Sequence, residues 1–160
     1  MKCYFLRHGI ADREEWSGPD FERPLTAEGR EKMAREAKAI EALDLELDLI
    51  VTSPLTRAKQ TAQIVADRLN ARDRLIVDER VGLDFDATDV AKIVREHTDA
   101  EAIMFVGHEP SFSATVSRLI GGGRVDFKKG ALACVEVPNR IGLAGALLWL
   151  LPPKVLAPRR

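Results

Sequence analysis

No apolar run in this chain is long enough to cross a bilayer. The stretch from Leu143 to Leu151 is apolar but falls far short of the roughly 20 residues that a spanning helix needs. The N-terminus offers one lysine, a very short apolar run and then Arg7, which is neither a signal peptide nor an anchor, so a cytoplasmic protein is expected. Cysteine is scarce: Cys3 and Cys134 both lie in strand-like apolar runs and are expected as small buried hydrophobes, with no disulfide framework and no cysteine pair at metal-ligand spacing. Net charge is also lacking. Lys and Arg number 24 against 25 Asp and Glu, a balance of -1 that gives no global reason to bind nucleic acid or an anionic membrane. Gly121-Gly122-Gly123 lacks the Lys-Ser/Thr of a nucleotide phosphate loop and reads as a turn.

What is present is an ordinary soluble composition, 46% apolar and 31% charged over 160 residues. That length fits one domain, residues 1–160, with a proper core. No repeat, low-complexity segment or linker divides it. Short apolar runs alternate with helical patterns. Cys3 to Leu6, Asp48 to Thr52, Leu75 to Val77 and Ala102 to Val106 read as strands. Thr26 is a good N-cap for a helix over Ala27 to Leu43, with Met33, Ala37, Ile40 and Leu43 on its apolar face. A second helix is expected from Ser53-Pro54 to Leu69, a third with Val90, Ile93 and Val94 ending near His97, and a fourth from Ser111 to Ile120. Ala131 to Val137 and Ala146 to Leu151 read as a closing pair of strands, joined by a connection that begins at Pro138-Asn139-Arg140, before an irregular tail with Pro152, Pro153 and Pro158. The pattern predicts α/β layers around a largely parallel sheet with a mixed edge.

Chemistry gathers where strands end. Arg7 and His8 close the first strand, Arg57 falls in the first turn after the second, and His108 follows the strongest strand, Ala102 to Val106. Ligands in open α/β sheets bind at that edge. Arginine presents a planar fork to phosphate oxygens. A neutral imidazole can act as nucleophile, and a second one, if protonated, can donate to a phosphate oxygen. Gly9 leaves room for a ligand or a tight turn beside the imidazole. The charged segment carrying Asp12, Arg13, Glu14, Glu15, Asp20, Glu22 and Arg23 is a loop that either serves the site or is a solvated connection. His97, among Glu96, Thr98 and Asp99, reads as a solvated helix-end residue. Arg124, Lys128 and Lys129 read as a solvated basic face, with a docking patch for an acidic partner as the alternative. A metal site from His8 and His108 has no His-x-x-x-His pairing to support it.

Leu6-Arg7-His8-Gly9, Ser53-Pro54-Leu55-Thr56-Arg57-Ala58-Lys59-Gln60-Thr61 and Val106-Gly107-His108-Glu109-Pro110 resemble, in order and separation, the motifs of the histidine phosphatase superfamily, the phosphoglycerate-mutase-like proteins. The compact length, Pro24-Leu25-Thr26 and Glu28-Gly29 resemble the SixA-type phosphohistidine phosphatases in particular. The resemblance implies a three-layer α/β/α sandwich around a mostly parallel mixed sheet. It implies that His8 is the catalytic nucleophile and carries a transient phosphoryl group, and that Arg7, Arg57 and His108 bind and polarise the phosphate, His108 being catalytic as well. It implies hydrolysis of phospho-His8 by water without a metal, and no cofactor is expected. The general acid of larger relatives has no unique counterpart: Glu79, Asp84 and Asp86 of the acidic loop, and Asp12, are candidates, while Ile10 stands where relatives often place an acidic residue.

A leaving alkoxide needs a proton, and losing the acid should cost about 100-fold or more. A protonated phosphoimidazole leaves as neutral imidazole without help. The doubtful acid, and the absence of a long insertion to form a lid, therefore favour phosphohistidine in a signalling protein, such as the histidine of a phosphotransfer domain. The alternatives are a small-molecule phosphomonoesterase or mutase of the same fold, and a phosphate-binding module without turnover. The expected partner is thus a phosphorylated protein or small phosphate, with neither nucleic acid nor membrane involved.

Overall fold

In the computed structural model, residues 1–14, 16–138, 140 and 144–158 are described. Glu15 of the charged loop and most of the connection expected after Pro138, including Asn139, lie outside them. Six strands form one sheet: β1 (Lys2–Arg7), β2 (Leu49–Thr52), β3 (Leu75–Val77), β4 (Ala102–Gly107), β5 (Leu132–Glu136) and β6 (Ala146–Leu151). Their order is β3-β2-β4-β1-β5-β6. The first four in that order run parallel, and β5 and β6 add the antiparallel edge. The helices are α1 (Ala27–Ala42), α2 (Thr56–Arg68), α3 (Ala87–Glu96), α4 (Ser111–Leu119) and α5 (Pro153–Leu156).

The two-residue period of the strands sorts the core into two layers. Cys3, Phe5, Ile103 and Phe105 face one side and pack with Val90, Ile93, Phe112 and Val116 of α3 and α4. Tyr4, Leu6, Met104 and Val106 face the other and pack with Met33, Ala37, Ile40, Ala58, Ala62 and Val65 of α1 and α2. The sheet is therefore covered on both faces, which is why β4 is apolar and buried along its whole length. Cys3 and Cys134 are buried on opposite faces, both as free thiols. Burial pushes the Cys3 thiol up to about 12, so it packs as a hydrophobe.

Two expectations need correction. The tail is not irregular throughout: proline suits a first helical turn, and α5 starts on Pro153 and buries Leu156 against the α1–α2 layer. The second helix begins at Thr56, not at Ser53-Pro54, because Ser53 belongs to the site: its Oγ accepts the Leu55 N–H at 3.1 Å and its main chain continues the sheet to Val106 O. The charged loop also contains a 3₁₀ turn, Asp20–Glu22.

The strand order places a topological switch between β1 and β4. The chain leaves β1 for α1 on one face and leaves β4 for α4 on the other, and the C-terminal ends at such a switch are where open α/β sheets bind ligands.

Candidate active site

Register brings the two histidines together. Arg7 of β1 pairs with Gly107 of β4, so the next residues, His8 and His108, emerge side by side. Their ring centroids are 5.3 Å apart. Gly107 has a packing reason for lacking a side chain, since a Cβ there would come within 2.8 Å of the Phe112 ring. Gly9 does not hold open space for a ligand and is not in a left-handed turn. A Cβ on it would make ordinary contact, at 3.4 Å, with Leu25 and Met33. Its main chain does the work instead. Gly9 N–H donates to Thr61 Oγ1 (3.1 Å), and Gly9 O accepts from His8 Nδ1 (2.7 Å).

That last bond assigns the His8 tautomer, because a carbonyl can only accept. The proton sits on Nδ1, and Nε2 carries the lone pair. His8 is 6% exposed. Burial, opposed by the Gly9 bond and reinforced by His108, Arg57 and Arg7, pulls its pKa down to about 3. His108 is buried as well, and burial followed by the Arg57 charge brings it down to about 4. Both rings are therefore neutral near pH 7, and a protonated His108 is not the resting state. His108 Nε2 lies 2.7 Å from Ser53 Oγ.

Arg7 and Arg57 complete the group. Arg7 donates through one terminal nitrogen to Phe127 O (2.8 Å). Arg57, 3% exposed, donates to Asp20 O (2.9 Å) and Asp20 Oδ2 (3.3 Å). Thr61 Oγ1 donates to Arg57 O (2.8 Å), so this one hydroxyl ties the first turn of α2 to the turn after His8. Burial lowers the pKa of both guanidiniums from the ordinary arginine value. At Arg7, the Glu109 and Asp126 charges oppose that shift. Each guanidinium has five N–H donors, and protein groups take only some of them. Among the described residues, four buried side-chain nitrogen or oxygen atoms find no partner: Arg7 Nε, Arg57 Nε, His108 Nδ1 and Glu36 Oε2. Three of the four belong to the residues that the sequence marked as phosphate ligands, and buried polar atoms are otherwise almost always paired. The cluster is thus a set of donors matched to an oxyanion, with a lone-pair nitrogen beside it.

The acid candidates fare differently. Asp86 is committed as N-cap of α3: its Oδ1 accepts the Asp89 N–H, and its own N–H donates to Asp89 Oδ2. Asp12, Glu79 and Asp84 are exposed. Among the described residues no group of three or more His, Cys, Asp and Glu side chains could hold a metal ion. His97 ends α3, at the opposite edge of the sheet from His8. Asp20, Arg23, Ser53, Thr61 and Glu109 were not singled out from sequence. The charged loop gave no spacing that selects Asp20, whose value depends on a fold that carries it across to Arg57.

Comparison with known proteins bears on family and fold. The family model of the histidine phosphatase superfamily (branch 1) matches residues 3–82. An uncharacterised protein of Picosynechococcus sp. is 46% identical over 67 residues, 41% of this chain and 40% of that protein. The phosphohistidine phosphatase SixA of Escherichia coli is 34% identical over 70 residues, 44% of this chain and 42% of the relative. The aligned stretch thus spans about two-fifths of the curated relatives it matches. In fold, the chain matches the protein histidine phosphatase SixA complexed with tungstate, with a TM-score of 0.85 and 24% identity over 96% of this chain and 97% of that one. It also matches a phosphoserine phosphatase of Entamoeba histolytica, with a TM-score of 0.74 and 14% identity over 97% of this chain and 98% of that one. With its family-model match beginning in β1 and running through β3, and its sheet and helices laid out as in these phosphatases, the chain belongs to the histidine phosphatase superfamily.

Proposed function

We propose that this chain is a phosphatase that hydrolyses phosphohistidine in a signalling phosphotransfer protein through a phosphoryl group carried on His8. The observation that carries the reading is the pairing of a neutral, Nδ1-protonated His8 with unpartnered donors on Arg7, Arg57 and His108. A fold relative, the protein histidine phosphatase SixA, is complexed with tungstate, itself a tetrahedral oxyanion, which is in keeping with an oxyanion ligand for this fold.

His8 Nε2 attacks phosphorus as the bond from phosphorus to the substrate's imidazole nitrogen breaks. The resulting phosphoimidazolium keeps its Nδ1 proton on Gly9 O, which offsets the new positive charge. Arg7 and Arg57 hold the equatorial oxygens as charge builds on them. Ser53 Oγ accepts from Leu55, so its hydroxyl proton is available to His108 Nε2; that assignment places the His108 proton on Nδ1, where it donates to a phosphate oxygen. Water then attacks phosphorus, His8 leaves as neutral imidazole, and phosphate departs. The substrate's ring, protonated before transfer, also leaves neutral, so no carboxylic acid is required. This fits a site in which Asp86 is spent on a helix cap.

The test is a panel of phosphohistidine protein, phosphohistidine peptide, a sugar phosphate and an aryl phosphate, run with His8→Ala as control. Phosphohistidine should turn over at least about 100-fold faster than the esters, and His8→Ala should abolish all turnover. Equal rates on esters and phosphohistidine would show a small-molecule phosphomonoesterase instead.

A further inference from the structure

Beside Arg57 lies a cavity of about 340 Å³ lined by Arg13, Trp16, Gly18, Asp20 and Arg23. Asp20 is the hinge between the two places. It lines the cavity, and it also takes both Arg57 bonds and the two bonds from Arg23 Nε (3.2 Å) and terminal nitrogen (3.1 Å). One carboxylate therefore serves two guanidiniums whose side chains are 4% and 8% exposed. Arg13 adds a third positive charge, and among the described residues no carboxylate pairs with it. The cavity wall is built by the loop itself: the Trp16 indole donates to Pro19 O (2.8 Å) and its ring packs so tightly over Gly18 that a Cβ there would come within 2.6 Å.

Among the described residues the lining sets two guanidiniums against the single carboxylate of Asp20, a net positive charge that suits an anion, and guanidinium forks match the geometry of a carboxylate. We propose that the cavity between Arg13 and Arg23 is a second anion subsite, which takes a carboxylate carried by the substrate next to its phosphoryl group. On the phosphohistidine reading, on which this rests, the carboxylate is an acidic side chain close in sequence to the phosphorylated histidine. A small molecule with both phosphate and carboxylate would present the same chemistry. The neighbouring charges bear on each other: burial, then Arg23 and last Arg13 lower the Arg57 pKa, while the charge and hydrogen bond of Asp20 raise it.

The experiment uses the His8→Ala chain, chosen so that binding can be read without turnover, and titrates phenyl phosphate, 3-carboxyphenyl phosphate and its neutral 3-carbamoyl counterpart. A parallel pair of phosphohistidine peptides carries Glu or Gln beside the phosphorylated residue. The carboxylated aryl probe should bind about tenfold more tightly than the carbamoyl one. Arg13→Gln should erase that difference while leaving phenyl phosphate affinity unchanged, and Arg13→Lys should keep part of it. A gain also seen with the Glu peptide assigns the carboxylate to a protein segment, and a gain confined to the aryl probe assigns it to a small molecule; both support the subsite. Equal binding of the charged and neutral probes, or a preference that survives Arg13→Gln, overturns it. If phenyl phosphate itself fails to bind at millimolar concentration, the phosphate reading falls and takes the subsite with it.

Discussion

In the proposed mechanism a proton on Nδ1 leaves the His8 Nε2 lone pair free to attack, and a main-chain carbonyl puts it there. Gly9 O holds Nδ1–H, and burial keeps the ring neutral down to about pH 3. Nitrogen-resolved NMR of the free protein should accordingly show both His8 and His108 uncharged at pH 5.5, with His8 as the Nδ1–H tautomer. A midpoint near the ordinary histidine value of about 6.5 for either ring would contradict this. In the same mechanism Asp20, which accepts from Arg57 through its main chain and its carboxylate, positions that guanidinium. Asp20→Asn keeps the main-chain bond but removes the charge, and should lower kcat/KM by roughly 10- to 100-fold through misplacement of the guanidinium. The substitution Asp20→Glu should recover part of that loss, which a purely structural role would not predict. At this scale the sequence pointed to Arg7, His8, Arg57 and His108 as one cluster, because strand ends deliver them. It gave Asp20 and Thr61 no individual role, since their partners lie 37 and 52 positions away and meet them only after folding.

Elements position these residues through close packing at their ends. Gly29 in the first turn of α1 sits against the Ile10 carbonyl so closely that any Cβ would collide with it, and Thr26 N–H donates to the same oxygen (3.0 Å). The start of α1 thus braces the turn that follows His8. Thr26 also caps α1, its Oγ1 accepting from Gly29 N–H (2.9 Å), so Thr26→Ala should cost about 1 kcal/mol in urea denaturation. On the other face, Gly107→Ala should cost about 1–3 kcal/mol by forcing the Phe112 ring away from the end of β4. The double variant Gly107→Ala with Phe112→Leu should regain part of that stability, and a strictly additive result would show that the two positions do not meet. Apolar periodicity and a good N-cap made α1, α3 and β4 legible. The start of α2 was not, because Ser53-Pro54 looks like a helix opening until the Ser53–His108 bond is seen.

The whole molecule carries buried groups whose titrations oppose each other. The histidines are held neutral: their folded pKa values of about 3 and 4 lie below the unfolded value of about 6.5. Their stabilising contribution is complete above pH 6.5 and is lost as pH falls through 4 and 3. Glu36 has the opposite sign. It is 3% exposed beneath Gly130, whose N–H donates to the Arg7 and His8 carbonyls, and burial raises its pKa to about 8. Its contribution is complete below its unfolded value and is lost as pH rises through 8. Glu36→Gln should therefore gain stability relative to the parent as pH goes from 5 to 8, by up to about 1.4 kcal/mol per pH unit, measured by urea denaturation. Fold class and sheet character were legible from alternating strand and helix signals. The register that sets His8 beside His108 was not, since parallel pairing joins residues about 100 positions apart. The most direct test of the mechanism is to mix the protein with phosphohistidine protein labelled in its phosphoryl group, quench in alkali within milliseconds, and map the label. The label should be acid-labile and sit on His8, attached at Nε2. A label on His108, attachment at His8 Nδ1, or full turnover with no labelled protein would contradict the account.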